Sequence, residues 1–488
     1  MNNKNISEQY SNNIIPFFEI LNEEDIRWII DNGVEKIIGA DNVIIDKSEE
    51  KSSLFVLIDG FVEAAHDTKK RLSVLGPGNF LGMNSYLIKT RPLLVFKAIN
   101  EVTILELSAD MLKQKIDSDP RFALRLYRAL SISLVIRYNK SIEYINHISP
   151  EVVDNIAGNE TMQKIIPILD EFKKLILKAD KEAKQSGNIS DETTDKVLCL
   201  SRSFSYEFYN QICSNNTLST ELKEVIGYRC QQEFLPYILL TNAANAMYSK
   251  PRGYAGDYLT IKMIYDNIPE GKSAVGVLID TCFLEEPAAK AVRNRKNIII
   301  NEVRHLLENN SESNISITSL ACGPAEEIFD IYTSLERTGK LKITLLDFDI
   351  QALAFVAEKL EKLKLNKNVT LLHQNLIYLL TKKEILQIKT QDLIYSIGLI
   401  DYFNDSFVVR LFNMIYGYLK PGGKIMIGNF HPRNTSRGYM DYILEWKLIY
   451  RTEEDMNRLF LESLFKRECT NIQFEEEGIN LFAECIKE

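Results

Sequence analysis

Several apolar runs of this chain end on residues able to hold or react with a ligand. One ends in Ser319-Leu320-Ala321-Cys322-Gly323-Pro324-Ala325-Glu326. A glycine where a strand turns into a helix lets a ligand approach the backbone, and the helix N-terminus offers free N–H groups. A dinucleotide site would carry three glycines here to admit a pyrophosphate. Here Gly323 stands alone before Pro-Ala, which suits a methionine-type ligand without phosphates, with Ala321, Cys322 and Gly323 as its neighbours. The next run ends in Leu346-Asp347-Phe348-Asp349. A carboxylate at the tip of a second strand accepts hydrogen bonds from ribose hydroxyls, so Asp347 is the candidate, flanked by Phe348. Asp349 fits better as the cap of the helix that follows. After a third run, Gln374-Asn375 is placed to read an adenine amino group, and Asn375 is the candidate. An ordinary loop asparagine is the alternative.

Further on, Ser396-Ile397-Gly398-Leu399-Ile400-Asp401-Tyr402 and Gly428-Asn429-Phe430-His431-Pro432-Arg433 close two more runs. Strand ends on one edge of a parallel sheet border the ligand crevice. Ser396 and Gly398 are therefore candidates for the bound cofactor. Tyr402, Asn429, His431 and Arg433 are candidates for a pocket holding a polar, anionic acceptor. The plainer alternative makes His431 a loop residue and Arg433 a solvated cation. Lys250-Pro251-Arg252-Gly253-Tyr254-Ala255-Gly256-Asp257 departs from any helical period. It reads either as an interhelical turn or as an active-site lid carrying Arg252 and Tyr254.

Positioning such residues takes more than one core. At 488 residues, 45% hydrophobic and 26% charged, the chain is of multidomain globular type. A net charge of −9 argues against gripping nucleic acid backbone. The seven cysteines form no CxxC pair and do not lie near the five histidines, so neither a metal site nor a disulfide framework is expected. No signal-peptide pattern opens the chain and no apolar run is long enough to span a membrane. The expectation is a soluble, cytoplasmic protein with no stable membrane insertion.

Residues 1–15 read as a flexible N-terminus, and 16–145 as a β-roll with a helix before it and helices after it. Short β segments are expected at 43–45, 53–58, 62–65, 72–74 and 102–107, separated by Asp59-Gly60 and Gly76-Pro77-Gly78. A periodic helix at 109–144 breaks near Asp119-Pro120. Residues 146–310 read as helical, with helices at 161–184, 194–214, 222–247 and 288–308. Across 311–488 strands and helices alternate, the pattern of a doubly wound parallel sheet. The strands fall at 315–320, 342–347, 369–373, 393–397 and 424–429. The helices fall at 325–335, 350–363, 377–386 and 406–419, and a hairpin near 467–475 and 479–487 closes the sheet.

Gly323, Asp347, Asn375, the apolar run 392–396 and Leu419-Lys420-Pro421-Gly422-Gly423-Lys424 occur in order over about 170 residues. The set resembles class I S-adenosylmethionine-dependent methyltransferases, with one glycine in the first motif and Asn where Asp is commoner in the third. The resemblance implies a Rossmann-like fold, S-adenosylmethionine as cofactor and an in-line methyl transfer past Gly398 and Tyr402. Absence of N-P-P-[YFW] or Pro-Cys after the fourth strand speaks against methylation of a nucleobase. With the GYAGD, GLIDY and NFHP segments, the chain from about Phe204 onward resembles bacterial proteins of 3-hydroxypalmitic acid methyl ester biosynthesis. That implies carboxyl methylation of a 3-hydroxy fatty acid or a related small acid, with Tyr402, His431, Arg252 and Tyr254 as catalytic residues. A carboxylate acceptor needs no base, and an Arg and a Tyr would orient it. A non-catalytic ligand sensor, or transfer to another O- or N-nucleophile, is the competing reading.

Leu54–Val62 and Leu75–Gly82 resemble the strand–turn–strand and the turn into the phosphate cassette of cyclic nucleotide-binding domains. Met83 stands where that family places a ribose-binding Glu, and a thioether cannot replace a carboxylate there. Arg91 matches the phosphate Arg but precedes Pro92. Binding of cAMP or cGMP is therefore not expected. A degenerate domain used for dimerisation, for another ligand or for gating the enzyme is expected instead.

Overall fold

The computed structural model describes residues 20–46, 53–65, 71–88, 91–92, 94–148, 160–250, 252, 254–309, 314–365, 367–380 and 385–488. The flexible segment expected at 1–15 lies outside the described residues.

The first helix, α1 (Glu23–Asn32), opens with a capping box: Asn22 accepts the Asp25 N–H at 2.9 Å and Asp25 reaches back to the Asn22 N–H. Eight strands follow: β1 (Val34–Ile38), β2 (Val43–Ile45), β3 (Leu54–Asp59), β4 (Val62–Ala65), β5 (Arg71–Leu75), β6 (Phe80–Leu81), β7 (Val95–Ala98) and β8 (Val102–Leu107). They form two antiparallel four-stranded sheets, β1-β8-β3-β6 and β2-β7-β4-β5, the β-roll read from the sequence. β3 is buried on both faces: Leu54, Val56 and Ile58 enter one core while Phe55 and Leu57 enter the other. β1, β6 and β7 add to the strands expected from the sequence; β6 is only two residues long, and four of the five β1 residues are exposed. A short helix, α2 (Met83–Ile88), follows β6. Then α3 (Ala109–Ser118) and α4 (Pro120–Ile148) meet at Asp119, whose carboxylate accepts the N–H groups of Arg121 and Phe122. Pro120 takes the first helical position, where its missing N–H costs nothing.

The helical region comprises α5 (Glu160–Ser186), α6 (Asp191–Phe208), α7 (Thr220–Ile238), α8 (Ala243–Ser249), α9 (Tyr258–Asp266), α10 (Ala274–Leu284) and α11 (Pro287–Asn309). Pro236 sits two residues before α7 ends, so the span expected as one helix at 222–247 is divided into α7 and α8. α9 and α10 add to the sequence reading, and each is opened by a side-chain cap, Asp257 and Ser273. The helices share one core with Phe430, Tyr439, Ile443, Leu444 and Trp446 from the C-terminal part, so the helical region packs directly against the C-terminal part.

The C-terminal sheet has strands β9 (Ile315–Leu320), β10 (Leu341–Asp347), β11 (Val369–His373), β12 (Gln391–Ile397), β13 (Leu419–Phe430), β14 (Asn471–Phe474) and β15 (Asn480–Ile486), in the order β11-β10-β9-β12-β13-β15-β14. All pairs are parallel except those of β15, which closes the expected hairpin. Strand order reverses between β9 and β12, which opens a crevice at their carboxyl ends. The covering helices are α12 (Glu326–Ser334), α13 (Ile350–Lys362), α14 (Leu376–Leu380), α15 (Asp405–Tyr418) and α16 (Glu453–Glu462). α14 is shorter than the helix expected at 377–386, part of which lies outside the described residues. The Pro421-Gly422-Gly423 turn is built as an irregularity inside β13: Leu419 pairs with Gln391, and the next pair is Lys424 with Leu393. Gly422 carries φ +78 there. Among the described residues no helix is long and apolar enough to cross a membrane.

Candidate functional site

The turn after β9 is left-handed at Ala321, Gly323 and Ala325, with φ of 54°, 52° and 49°. A Cβ on Gly323 would meet nothing within 4 Å, so the backbone there faces open space. Asp347, at the tip of β10, braces this turn. One carboxylate oxygen accepts the Gly323 N–H at 2.8 Å and the other the Asp349 N–H at 2.9 Å. Each oxygen keeps a lone pair for a further donor. Burial pushes the Asp347 carboxyl up to about 6, against the pull of those backbone N–H groups. Cys322 is buried and its thiol is raised well above the usual range, first by burial and then by Asp347.

Asp349 has the cap role expected of it, accepting the N–H groups of Gln351 and Ala352. Its other oxygen receives Arg252 Nη2 at 2.5 Å and Tyr254 Oη at 3.2 Å. The structure therefore places Arg252 and Tyr254 at the β10 tip. The Tyr254 ring is tilted against Phe348, with centroids 5.8 Å apart, and Arg252 lies over Tyr258. Asp257 is the buried N-cap of α9, which explains the acidic end of the GYAGD segment.

At the end of β11 the adjacent amides differ. Asn375 Nδ2 donates to the Ile58 carbonyl of the β-roll at 3.0 Å. Gln374 Oε1 is buried with no hydrogen-bond partner. An orphaned buried acceptor loses the free energy of its missing bond.

At the tip of β12, Ser396 is buried and its hydroxyl donates to the Leu320 carbonyl at 2.8 Å, tying β12 to β9. Gly398 has φ +109, and a Cβ there would stand 2.8 Å from Arg295 Nη1. Arg295, on α11, is 6% exposed and donates through Nε to Tyr265 Oη at 3.4 Å. Burial works against its charge, but Tyr265, Asp401 and Glu327 hold the guanidinium above its ordinary range. The sequence reading missed Arg295. Its signal was a cation inside the apolar stripe Ala288, Ala291, Val292, Ile299 and Val303, a position such residues rarely take unpaired. Asp401 is buried, accepts the Phe430 N–H at 2.7 Å and is pushed up to about 6 by that burial.

Tyr402, a candidate for the acceptor pocket, lies against the loop that ends at Asp257. Its hydroxyl accepts Trp446 Nε1 at 3.0 Å, and a Cβ on Gly256 would lie 2.5 Å from it. Asn429 is fully buried and donates to the Phe430 and Ile449 carbonyls, while its own carbonyl receives Arg451. His431 belongs to another network. Nδ1 accepts the backbone N–H and Nε of Arg433, both at 3.1 Å, and Nε2 faces Glu453 at 3.0 Å. Those partners imply a neutral ring with its proton on Nε2, and burial, with Arg433 adding to it, lowers its basicity.

In the β-roll, Met83 is buried in the apolar core rather than presented to a ligand, and Arg91 is exposed. Among the described residues no group of His, Cys, Asp or Glu is arranged to hold a metal ion.

No curated protein matches the chain. Three solved structures similar to it are a possible exported protein from Bordetella parapertussis, a cyclic nucleotide-binding domain from Methylobacillus flagellatus, and magnesium protoporphyrin IX methyltransferase from Synechocystis with bound SAM. The first is 16% identical, with a TM-score of 0.39 over 59% of this chain and 96% of that one. The second is 17% identical, with a TM-score of 0.25 over 27% of this chain and 80% of that one. The third is 11% identical, with a TM-score of 0.30 over 41% of this chain and 83% of that one. The model of a family described as "Putative methyltransferase" matches residues 250–468, from the loop before α9 to the start of the final hairpin. Over those residues, somewhat less than half of the chain, the sequence is similar to that family.

Proposed function

We propose that the chain is an S-adenosylmethionine-dependent methyltransferase acting on a small carboxylic acid, with residues 146–310 as its cap and residues 16–145 as a regulatory or dimerising domain. The observation that carries the acceptor class is Arg295, a buried guanidinium beside the Gly398 turn whose one side-chain hydrogen bond among the described residues is to Tyr265.

Bound S-adenosylmethionine would supply an electrophilic methyl on a sulfonium. Gly323 offers an open backbone for its methionine part, Asp347 accepts from the ribose, and Gln374 accepts from the adenine amino group. Ala321, Cys322, Phe348 and Gly398 line the same crevice, while Ser396 holds its floor together. Asn375 serves the contact with the β-roll.

On the acceptor side, Arg295 and Tyr265 orient a carboxylate toward the Gly398 turn by charge-assisted hydrogen bonds. A carboxylate oxygen forms the new bond to the methyl as the carbon–sulfur bond breaks, giving a methyl ester and S-adenosylhomocysteine. No proton moves, so no base is required. Tyr402 shapes the pocket under the Gly256 loop. Arg252 and Tyr254 act by positioning at the donor end, and His431 holds the 431–433 turn. A 3-hydroxy fatty acid fits this acceptor class.

Incubation of the full chain with methyl-labelled donor and a series of 3-hydroxy fatty acids tests this reading by mass spectrometry. Labelled methyl ester with matching S-adenosylhomocysteine is expected. Label in an amine or a hydroxyl product would overturn the acceptor class, and donor binding without turnover on any acid would favour the sensor reading.

A further inference from the structure

The turn between β3 and β4, Ile58-Asp59-Gly60-Phe61, is seated on the tips of β10 and β11. The Ile58 carbonyl receives Asn375 Nδ2 at 3.0 Å. The Phe61 ring stacks on Tyr254 with centroids 4.8 Å apart and planes 14° from parallel. Tyr378 donates to Glu35 at 3.0 Å, and Tyr378 and Phe407 pack into the apolar core of the β-roll. The turn's shape belongs to the β-roll itself: Gly60 holds φ +79, and a Cβ there would lie 2.4 Å from the Glu101 carbonyl. These contacts reach the strand tips where ribose and adenine are held in such folds.

We propose that this turn is the outer wall of the donor site, covering its adenosine end, with Phe61 positioning Tyr254, so that donor exchanges with solvent only when the β-roll withdraws. The proposal rests on the donor site described above. The stack and the Asn375 bond hold the turn down. Opposing them, the Asp59 carboxyl is within electrostatic reach of Asp347 and Asp349 at the β10 tip, with His373 at the β11 end acting the other way; Arg252 is engaged by Asp349. Burial and those carboxylates raise Asp59 to about 6 despite the Gly60 N–H and His373, which pull it down. A closed wall balanced in this way opens and recloses. It also gives the β-roll a direct route to the chemistry: whatever shifts the roll changes access to the donor.

Stopped-flow association and dissociation of S-adenosylhomocysteine with the full chain reads the wall directly. Phe61→Ala removes the stack, and both rate constants are expected to rise roughly tenfold while Kd changes much less. Asp59→Lys places a cation opposite Asp347 and Asp349, and both rate constants are expected to fall. Because the two variants move in opposite directions, Asp59→Lys decides alone if Phe61→Ala does not fold. Parent-like exchange rates in the folded variants would overturn the wall while leaving the donor site intact. Absence of binding in the parent would instead remove the donor site, and the wall with it.

Discussion

Arg295 and Gly398 are fitted to each other: the guanidinium occupies the space that any side chain at position 398 would need, 2.8 Å from the place of its Cβ. The glycine also carries φ +109, which other residues rarely adopt. Gly398→Ala should therefore displace Arg295 and raise KM for the acid, with a smaller effect on the donor, whose crevice Gly398 also lines. Arg295→Lys keeps the charge but loses the planar fork. A rise in acceptor KM of roughly 10- to 100-fold is expected, from the ~1.5–3 kcal/mol of a hydrogen bond to a charged group. Steady-state kinetics in both substrates checks the split; an unchanged acceptor KM in both variants would remove Arg295 from the acceptor site.

Gln374 and Asn375 should separate cleanly under substitution. Gln374→Leu removes the orphaned acceptor and should weaken S-adenosylhomocysteine by roughly five- to tenfold, about 1 kcal/mol for one hydrogen bond. The analogue with hypoxanthine in place of adenine, which lacks the amino group, should bind parent and variant alike. Asn375→Ala should alter exchange kinetics with no such discrimination. Calorimetric titration with both ligands distinguishes the cases.

The raised carboxyls set a pH dependence. Asp347, Asp401 and Asp59 hold their protons more tightly when folded, at about 6 against an ordinary 3.8. The native state thus binds more protons than the unfolded one between those values. Their contribution to folding stability is present below pH 3.8 and is lost as pH rises through 6. Donor binding should run the other way, because an ionised Asp347 is the better acceptor for ribose hydroxyls: Kd should rise as pH falls below about 6. Asp347→Asn should bind more weakly at neutral pH and flatten that profile. A parent profile that is level from pH 5 to 8, or one that persists in the Asn variant, would refute the assignment.

Gly256→Ala would push a methyl group into the Tyr402 hydroxyl, 2.5 Å away, at a backbone φ of +76. The loop must move, and kcat should fall by an order of magnitude or more, since small misplacements near the reacting atoms are costly. Trp446→Phe removes only the hydrogen bond to Tyr402 and should cost less. Equal activity in Gly256→Ala and parent would show that the loop is no lid.

Much of this was legible in the chain because periodicity and turn chemistry act locally. The strands ending at Leu320, Asp347, His373 and Ile397 close on the residues expected, and Asp349 caps as its neighbours demanded. What could not be read depends on contacts between segments far apart in sequence. Arg295 gains meaning only when α11 packs beside Gly398. Arg252 and Tyr254, read as catalytic residues on a lid loop, bind Asp349, and Asp257, which starts α9, fixes where that loop can reach. His431 turned toward Glu453 for a reason of the same kind: α16 brings that carboxylate in from a part of the chain where no helix was drawn. The seat of the β-roll on Tyr254 and Asn375 left no trace in either segment alone.

The central claim is that the donor sits at the tips of β9 and β10, between Gly323 and Asp347. Calorimetric titration of the full chain with S-adenosylmethionine, in parent and in Asp347→Ala, tests it most directly. One site per chain in the parent and at least a roughly tenfold loss in the variant are expected, since the carboxylate both accepts from the ribose and braces Gly323. A folded Asp347→Ala protein that binds as tightly as the parent would contradict it.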